Sequence, residues 1–339
     1  MDNIITFNKI GGPEVLQFEQ VPSLEPGRGE VRIKVKAIGI NRAESMYRHA
    51  QYVVEPKLPS RIGVEGVGIV ERIGPDVTQV QIGDRVAMMP SQSMNDYATY
   101  GDASIFPADS VAKYPENVSH TIAAASFVQY LTTYFAFVEI GKLQPGHHVL
   151  LTAASGGVGA AGIEMLHLLG AKAIATTRTS AKRQSLLDLG ADEVIVTEEE
   201  NLSERVMQIT GGKGAELIFD PIAGATLDTL AASVAWGGKI IIYGAMDENP
   251  TVYPLFPAFF RNFNLESYMI YNFTGYPALG IPRNESAYRE GVDFVVKALS
   301  EGKLNPVIAK TFPLDKIVEA VRYLESNQQV GKVVVTVGS

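Results

Sequence analysis

The stretch from His148 to Gly170, HVLLTAASGGVGAAGIEMLHLLG, constrains the fold more than any other part of the chain. Its first residues, His148 to Ala153, form a short β-branched and leucine run. That run is too brief for a helix and suits a strand buried on both faces of a parallel sheet. Gly156, Gly157 and Gly159 then open an apolar helical run, so that helix N-terminal N–H groups face whatever approaches the strand's carboxyl end. Read literally, Gly157, Gly159 and Gly162 spell G-x-G-x-x-G, but the strand-to-helix junction fits better one register earlier, with Ala154 where the first glycine stands. A second strand, Lys172 to Thr176, completes a βαβ unit of the expected length. The context predicts a phosphate cradle, with a ligand-free tight turn as the alternative.

The end of that second strand bears on which dinucleotide the cradle takes. An NAD site places Asp or Glu there for the ribose 2′-OH, whereas a 2′-phosphate calls for cations and no carboxylate. From Ala171 to Leu187 there is no acid, while Arg178, Lys182 and Arg183 lie in the window with Thr177 and Ser180 as hydroxyl donors. The pattern predicts NADP(H), held at its 2′-phosphate by Arg178 and Lys182. Arg183 reads as a solvated charge, and Arg178 is open to the same reading.

The 339 residues are enough for two domains with a substantial core. A net charge of −8 argues against a general nucleic-acid binder, which needs a basic face. No signal-like or bilayer-spanning apolar run is present, so a soluble, cytoplasmic protein without membrane attachment is expected. With no cysteine, disulfides, a thiolate nucleophile and cysteine-ligated zinc are excluded.

In chain order, Thr6 to Gln20 reads as a hairpin or meander, and Glu30 to Ile40 alternates like a strand with one wet face. Asn41 to Tyr52 is a polar segment, and Gly63 to Gly74 a glycine-laced β run suited to bulges and bends. Through about Thr121 the text suggests a small, strongly bent barrel. From His148 onward strands at Lys172 to Thr176, Glu193 to Val196, Glu216 to Phe219 and Lys239 to Tyr243 alternate with helical stretches, including Gly224 to Ala235: a doubly wound parallel sheet in an α/β protein. Ser286 to Ser300 and Asp315 to Ser326 read as amphipathic helices, and Lys332 to Val337 as a final strand returning to the first domain.

Asn41-Arg42-Ala43-Glu44, the run Gly63 to Gly74, Gly83-Asp84-Arg85-Val86, Ala153 to Gly159 and Gly331-Lys332-Val333-Val334 together cover nearly the whole chain. In that order they resemble the medium-chain dehydrogenase/reductase superfamily, and within it the zinc-free quinone oxidoreductase and enone reductase branch. The resemblance implies a GroES-like bent β-barrel catalytic domain beginning at 1–123, a Rossmann domain at 124–264, and an edge strand and return to the catalytic domain at 265–339. It also implies a homodimer joined through the Rossmann edge, with Leu265 to Ile270 as the edge strand.

Where the zinc-dependent relatives carry a cysteine and a histidine as zinc ligands, this chain has Asn41 and Val64. The histidines, His49, His120, His147, His148 and His167, show no ligand spacing and read as structural or solvated. Without a metal, the hydride acceptor must need little activation. A quinone qualifies, as does an enone or enal, whose enolate is stabilised by hydrogen bonds and protonated at the α carbon. Tyr52, eleven residues after Asn41, matches by that spacing the proton donor of zinc-free enoyl reductases. Its phenol, with an unperturbed pKa of about 10, stays protonated at neutral pH. The alternative for Tyr52 is a pocket wall, and Tyr47 is a weaker rival.

By the same resemblance Asn41 and Thr132 lie by the nicotinamide and ribose, although Asn41 also suits a turn after a strand. Ser155, Gly156, Gly157 and Val158 line the pyrophosphate, Lys182 takes the 2′-phosphate, and Gly244 closes a loop near the cofactor. Thr197 departs from the tyrosine of many quinone reductases, and Glu65 matches an acid found in most of the superfamily. The aromatic stretch Tyr253 to Tyr276 has two readings, an apolar substrate wall with Tyr271 or Phe273 against the nicotinamide, or a subunit edge. An enoyl-thioester reductase, and a non-catalytic NADPH-binding sensor or structural protein, remain alternatives.

Overall fold

The computed structural model describes residues 1–247 and 249–338. The chain divides into two compact units, Met1–Val128 with Tyr271–Ser339, and Gln129–Ile270. The second division follows the edge strand at Asn264–Ser267, which stays with the second unit.

The first unit begins with β1 (Asp2–Phe7), β2 (Gln17–Val21), β3 (Glu30–Ile40), β4 (Ser60–Arg61), β5 (Gly66–Ile73), β6 (Arg85–Met88), β7 (Ala103–Pro107) and β8 (Val111–Lys113). The second unit contributes β9 (His148–Leu151), β10 (Lys172–Thr177), β11 (Glu193–Val196), β12 (Ala215–Asp220), β13 (Val234–Ile242) and β14 (Asn264–Ser267). β15 (Ile308–Pro313) and β16 (Lys332–Thr336) then complete the first.

In the first unit β1 lies between β2 and β4, and a larger sheet runs β15-β16-β3-β5-β6-β8, with β7 also on β3. β3 organises this sheet. Its C-terminal half pairs antiparallel with β16, its N-terminal half with β7, and β5 follows it along the other edge through two register shifts. Such shifts bend a strand and raise its twist, which is how the glycine-laced β5 text becomes a curved sheet. The core beneath it gathers Ile33, Val35, Phe106, Val333 and Val335.

The wet face expected of β3 is only partly wet. Lys34 is exposed, but Arg32 is buried, its guanidinium meeting both Asp2 carboxylate oxygens at 2.6 and 2.8 Å and Glu71 at 3.0 Å. This bidentate pair holds the Asp2 carboxyl at about 2, against the opposing effect of burial. The polar segment after β3 also holds a helix, Arg42–Arg48.

The second unit is a six-stranded, all-parallel sheet in the order β11-β10-β9-β12-β13-β14. Strand order reverses at β9, the topological switch point where open α/β sheets bind ligands. Leu150, Ile174, Ile195, Ile218 and Ile240 form the middle of its core, explaining why these strands read as apolar runs. The helix expected over Gly224 to Ala235 is shorter, a 3-10 turn at Gly224–Thr226 and a helix at Leu227–Ser233, because β13 already starts at Val234. The edge strand is Asn264–Ser267 rather than Leu265 to Ile270. Among the described residues no helix is long and apolar enough to cross a membrane.

Candidate active site and dinucleotide cradle

In the first unit a charged cluster forms where β3 ends. Asn41 caps the Arg42–Arg48 helix, and its N–H donates to Glu44 Oε2 at 2.8 Å, the back-reaching half of a capping box. Lys332, the first residue of β16, places its ammonium 2.7 Å from Glu65 Oε2 and 2.5 Å from Asn41 Oδ1. Asn41 Nδ2 donates to Glu65 Oε2 at 3.2 Å, and Val128 N–H donates to Glu65 Oε1 at 3.0 Å. Gly39 makes room for this: a Cβ there would stand 2.4 Å from Glu65 Oε2 and 2.3 Å from the Ala124 carbonyl oxygen. Glu44 sits in the same cluster and accepts from the Val64 N–H at 3.2 Å. Burial pushes its carboxyl up to about 7, against the lowering effects of Lys332 and of the N–H donors. Both ends of the Asn41 carboxamide are therefore engaged by its own unit.

Tyr52 lies beyond that helix and is partly exposed. Its hydroxyl is 2.8 Å from the hydroxyl of Tyr271, which is buried in the short Tyr271–Thr274 helix. The Tyr276 ring packs on Tyr271 with centroids 4.1 Å apart. Desolvation raises the Tyr52 phenol, outweighing the lowering effect of the Tyr271 hydrogen bond, so it is protonated at neutral pH. Tyr47 is committed elsewhere: it is buried, 2.8 Å from Ser60 Oγ, and donates to Asn95 Oδ1 at 2.8 Å. Phe273 is partly buried beside Tyr271 in sequence, and its carbonyl accepts from the Asn284 N–H.

In the second unit β9 leads through Ala153, at φ +47°, to Gly156, the N-cap of the Gly157–Leu169 helix. The first N–H groups of that helix, from Gly157 and Val158, lack intrahelical acceptors and point along the helix dipole toward anions. Gly159 allows the helix to close on the turn, since a Cβ there would lie 2.5 Å from Ala154 Cα. Lys182, from the loop after β10, donates to Ser155 Oγ at 3.1 Å and so ties the two βα loops together. Burial lowers the Lys182 pKa, and the nearby Arg178 charge lowers it further. Arg178 is exposed and has no ion pair among the described residues, whereas Arg183 reaches Glu200 at 3.5 Å. Two neighbouring cations with no carboxylate at the end of β10 fit a dianionic phosphate, which would relieve their repulsion.

The other residues singled out from sequence take separate places in this unit. Thr177 is buried and donates to the Thr179 carbonyl, and Thr197 N–H donates to the Thr177 carbonyl at 2.9 Å. Thr132 is buried in the Phe127–Tyr134 helix, its carbonyl accepting from the Tyr268 hydroxyl at 3.2 Å. Gly244 follows β13 and packs against Pro221. Asp220, at the end of β12, escaped the sequence reading. It accepts from Thr152 Oγ1 and, at 2.6 Å, from the Ala223 N–H, bracing the strand end that carries the glycine turn. An acid closing an apolar strand, Leu217-Ile218-Phe219-Asp220, was the available signal.

The histidines have ordinary neighbours: His120 is 2.5 Å from the Tyr114 hydroxyl, and His148 and His167 face Glu216 and Asp192. Among the described residues no three His, Asp or Glu side chains are grouped to hold a metal ion.

Both units have counterparts among known proteins. Residues 27–132 match the alcohol dehydrogenase GroES-like domain family, and residues 157–285 the zinc-binding dehydrogenase family. The chain is 36% identical over 240 residues to quinone oxidoreductase 1 of Escherichia coli (strain K12), covering 71% of this chain and 72% of that protein. It is 29% identical over 334 residues to a 2-haloacrylate reductase of Burkholderia sp, with 96% of each chain covered. Among solved structures, Escherichia coli quinone oxidoreductase complexed with NADPH superposes with a TM-score of 0.88 at 29% identity, covering 98% of this chain and 99% of that one. A quinone oxidoreductase of Pseudomonas syringae pv. Tomato DC3000 gives 0.90 at 28% identity, covering 99% and 100%.

Proposed function

Because the chain belongs to the zinc-free quinone oxidoreductase branch of the medium-chain dehydrogenase/reductase superfamily, we propose that it is an NADPH-dependent reductase of quinones and of alkenes conjugated to a carbonyl. The observation that carries the substrate class is Tyr52, a protonated phenol, partly exposed, held by a second phenol. The NADPH complex of the Escherichia coli relative and the 2-haloacrylate reductase support the cofactor and the activated-alkene chemistry.

Ser155, Gly156, Gly157 and Val158 would hold the pyrophosphate, while Lys182 and Arg178 would hold the 2′-phosphate. In the second unit Thr132, Thr177 and Gly244 would also line the cofactor, and in the first unit Asn41 and Phe273 would. Bound NADPH supplies the hydride. Tyr52 then donates its proton to the α carbon of the substrate enolate, and Asn41, fixed by Lys332 and Glu65, keeps the end of β3 rigid. A quinone makes a lighter demand, because its reduced oxygens take protons from water. The protein works as a homodimer across β14. The exposed Phe256, Phe259 and Phe260 on the neighbouring Leu255–Arg261 helix support that pairing.

The test follows NADPH oxidation by absorbance with a 1,4-quinone, a cyclic enone, a short enal and an enoyl thioester, with NADH as control. Turnover of the enone or enal, with the saturated carbonyl as product, is the expected result. Turnover of the quinone alone would restrict the protein to quinones, and preference for the thioester would make it an enoyl-thioester reductase.

A further inference from the structure

The two phenols at the candidate proton donor differ in what surrounds them. Tyr271 is buried, and its hydroxyl has one hydrogen-bond partner among the described residues, the hydroxyl of Tyr52 at 2.8 Å. Tyr52 is partly exposed. Only one of the two protons can lie between the oxygens. If Tyr52 donated, the buried Tyr271 proton would be left without an acceptor, an unmade bond that burial makes costly. If Tyr271 donates, its proton is satisfied and the free proton belongs to Tyr52, the less buried residue of the pair.

We propose that Tyr271 is a positioning residue that turns the Tyr52 proton outward and then steadies the oxygen it leaves behind. This rests on Tyr52 being the proton donor. In the step itself the Tyr52 O–H bond breaks, the enolate electron pair forms the new C–H bond at the α carbon, and negative charge moves to Tyr52 oxygen. The Tyr271 hydroxyl, already donating to that oxygen, now donates to a phenolate, a stronger hydrogen bond than before. A proton from water restores Tyr52. Quinone reduction makes no such demand on the dyad, since its product oxygens exchange protons with solvent. Tyr271 thereby separates the two substrate classes: it matters for carbon protonation and is dispensable for quinones.

The experiment compares the full-length protein with Tyr271→Phe and Tyr52→Phe, on an α-methyl cyclic enone and on a 1,4-quinone. It reads kcat, KM and the enantiomeric ratio at the newly protonated α carbon. Tyr271→Phe keeps the ring that packs on Tyr276. It is expected to lower enone kcat roughly ten- to a hundredfold, the worth of one hydrogen bond to a charged oxygen. KM should be little changed, the enantiomeric ratio should fall toward unity as water replaces the oriented donor, and enone kcat should fall at least roughly tenfold more than quinone kcat. NADPH binding, followed by fluorescence, should match the unsubstituted protein. If Tyr52→Phe loses enone activity and stereocontrol while Tyr271→Phe keeps both, the positioning role is overturned and the donor stands. If Tyr52→Phe also keeps both, the donor assignment itself fails. If Tyr271→Phe does not fold, enone kcat of the native protein in mixtures of H2O and D2O decides. A curved dependence marks a second hydrogen bond tightening with the transfer, and a straight line overturns the proposal.

Discussion

The ammonium of Lys332 lies 2.7 Å from a carboxylate oxygen of Glu65, and only 3% and 2% of the two side chains is exposed. Removing one partner of such a pair strands the other charge in the interior, at a cost of roughly 3–5 kcal/mol. Lys332→Met should therefore lower the unfolding free energy read from urea titration by that much, and adding Glu65→Gln should recover most of the loss. A shift under about 1 kcal/mol for the single variant would show that the pair is not what holds β16 to the end of β3.

Glu44 gives the fold a pH dependence of known sign. Its carboxyl titrates at about 7 when folded against 4.5 ordinarily, so between those values the folded state binds more protons than the unfolded one. Stability attributable to Glu44 is full below pH 4.5, falls as the pH rises toward 7, and is level above. The gap corresponds to roughly 3 kcal/mol. Urea unfolding of Glu44→Gln across that range should show a correspondingly flatter profile than the unsubstituted protein; parallel profiles would remove Glu44 as the cause.

Arg178 and Lys182 should discriminate between cofactors. With both changed to Ala, the KM for NADPH is expected to rise at least roughly tenfold, since each loses a charge-assisted hydrogen bond, and the KM for NADH to change little. Steady-state kinetics with the two nucleotides checks this, and equal effects on both would sink the 2′-phosphate assignment.

The exposed aromatic face beside β14 should hold subunits together. Phe256→Lys with Phe259→Lys places charge on it, and sedimentation analysis is expected to show the protein moving from dimer to monomer. An unchanged dimer would put the interface elsewhere.

The parallel sheet was readable because its physics is local. β9, the glycine turn and the helix behind it are consecutive in the chain, and each buried strand advertises itself as an apolar run. The helix at Arg42–Arg48 went unread because its seven residues show little apolar period; its signal was the Asn41-to-Glu44 spacing of a capping box. Arg32 misled for another reason: strand alternation assigns it to solvent, and only its distant partner Asp2 explains its burial. The Tyr52–Tyr271 contact joins residues 219 apart in sequence, so no window of sequence contains it. The resemblance pointed to Asn41, Lys182 and Ser155 as separate residues, but not to the contacts that fix them, Lys332 on Asn41 and Lys182 on Ser155.

Lys332 and Asn41 meet although 291 positions separate them, and the whole of the Gln129–Ile270 unit is encoded in between. During synthesis that unit emerges as one continuous piece and can close at once. The flanking unit must wait, with Glu65 and Glu44 lacking their cation, until β16 leaves the ribosome. A nascent chain stalled shortly before Lys332 should thus expose a finished parallel sheet attached to an unfinished, protease-sensitive one, which makes this lysine the latch of assembly as well as a fixture of the site.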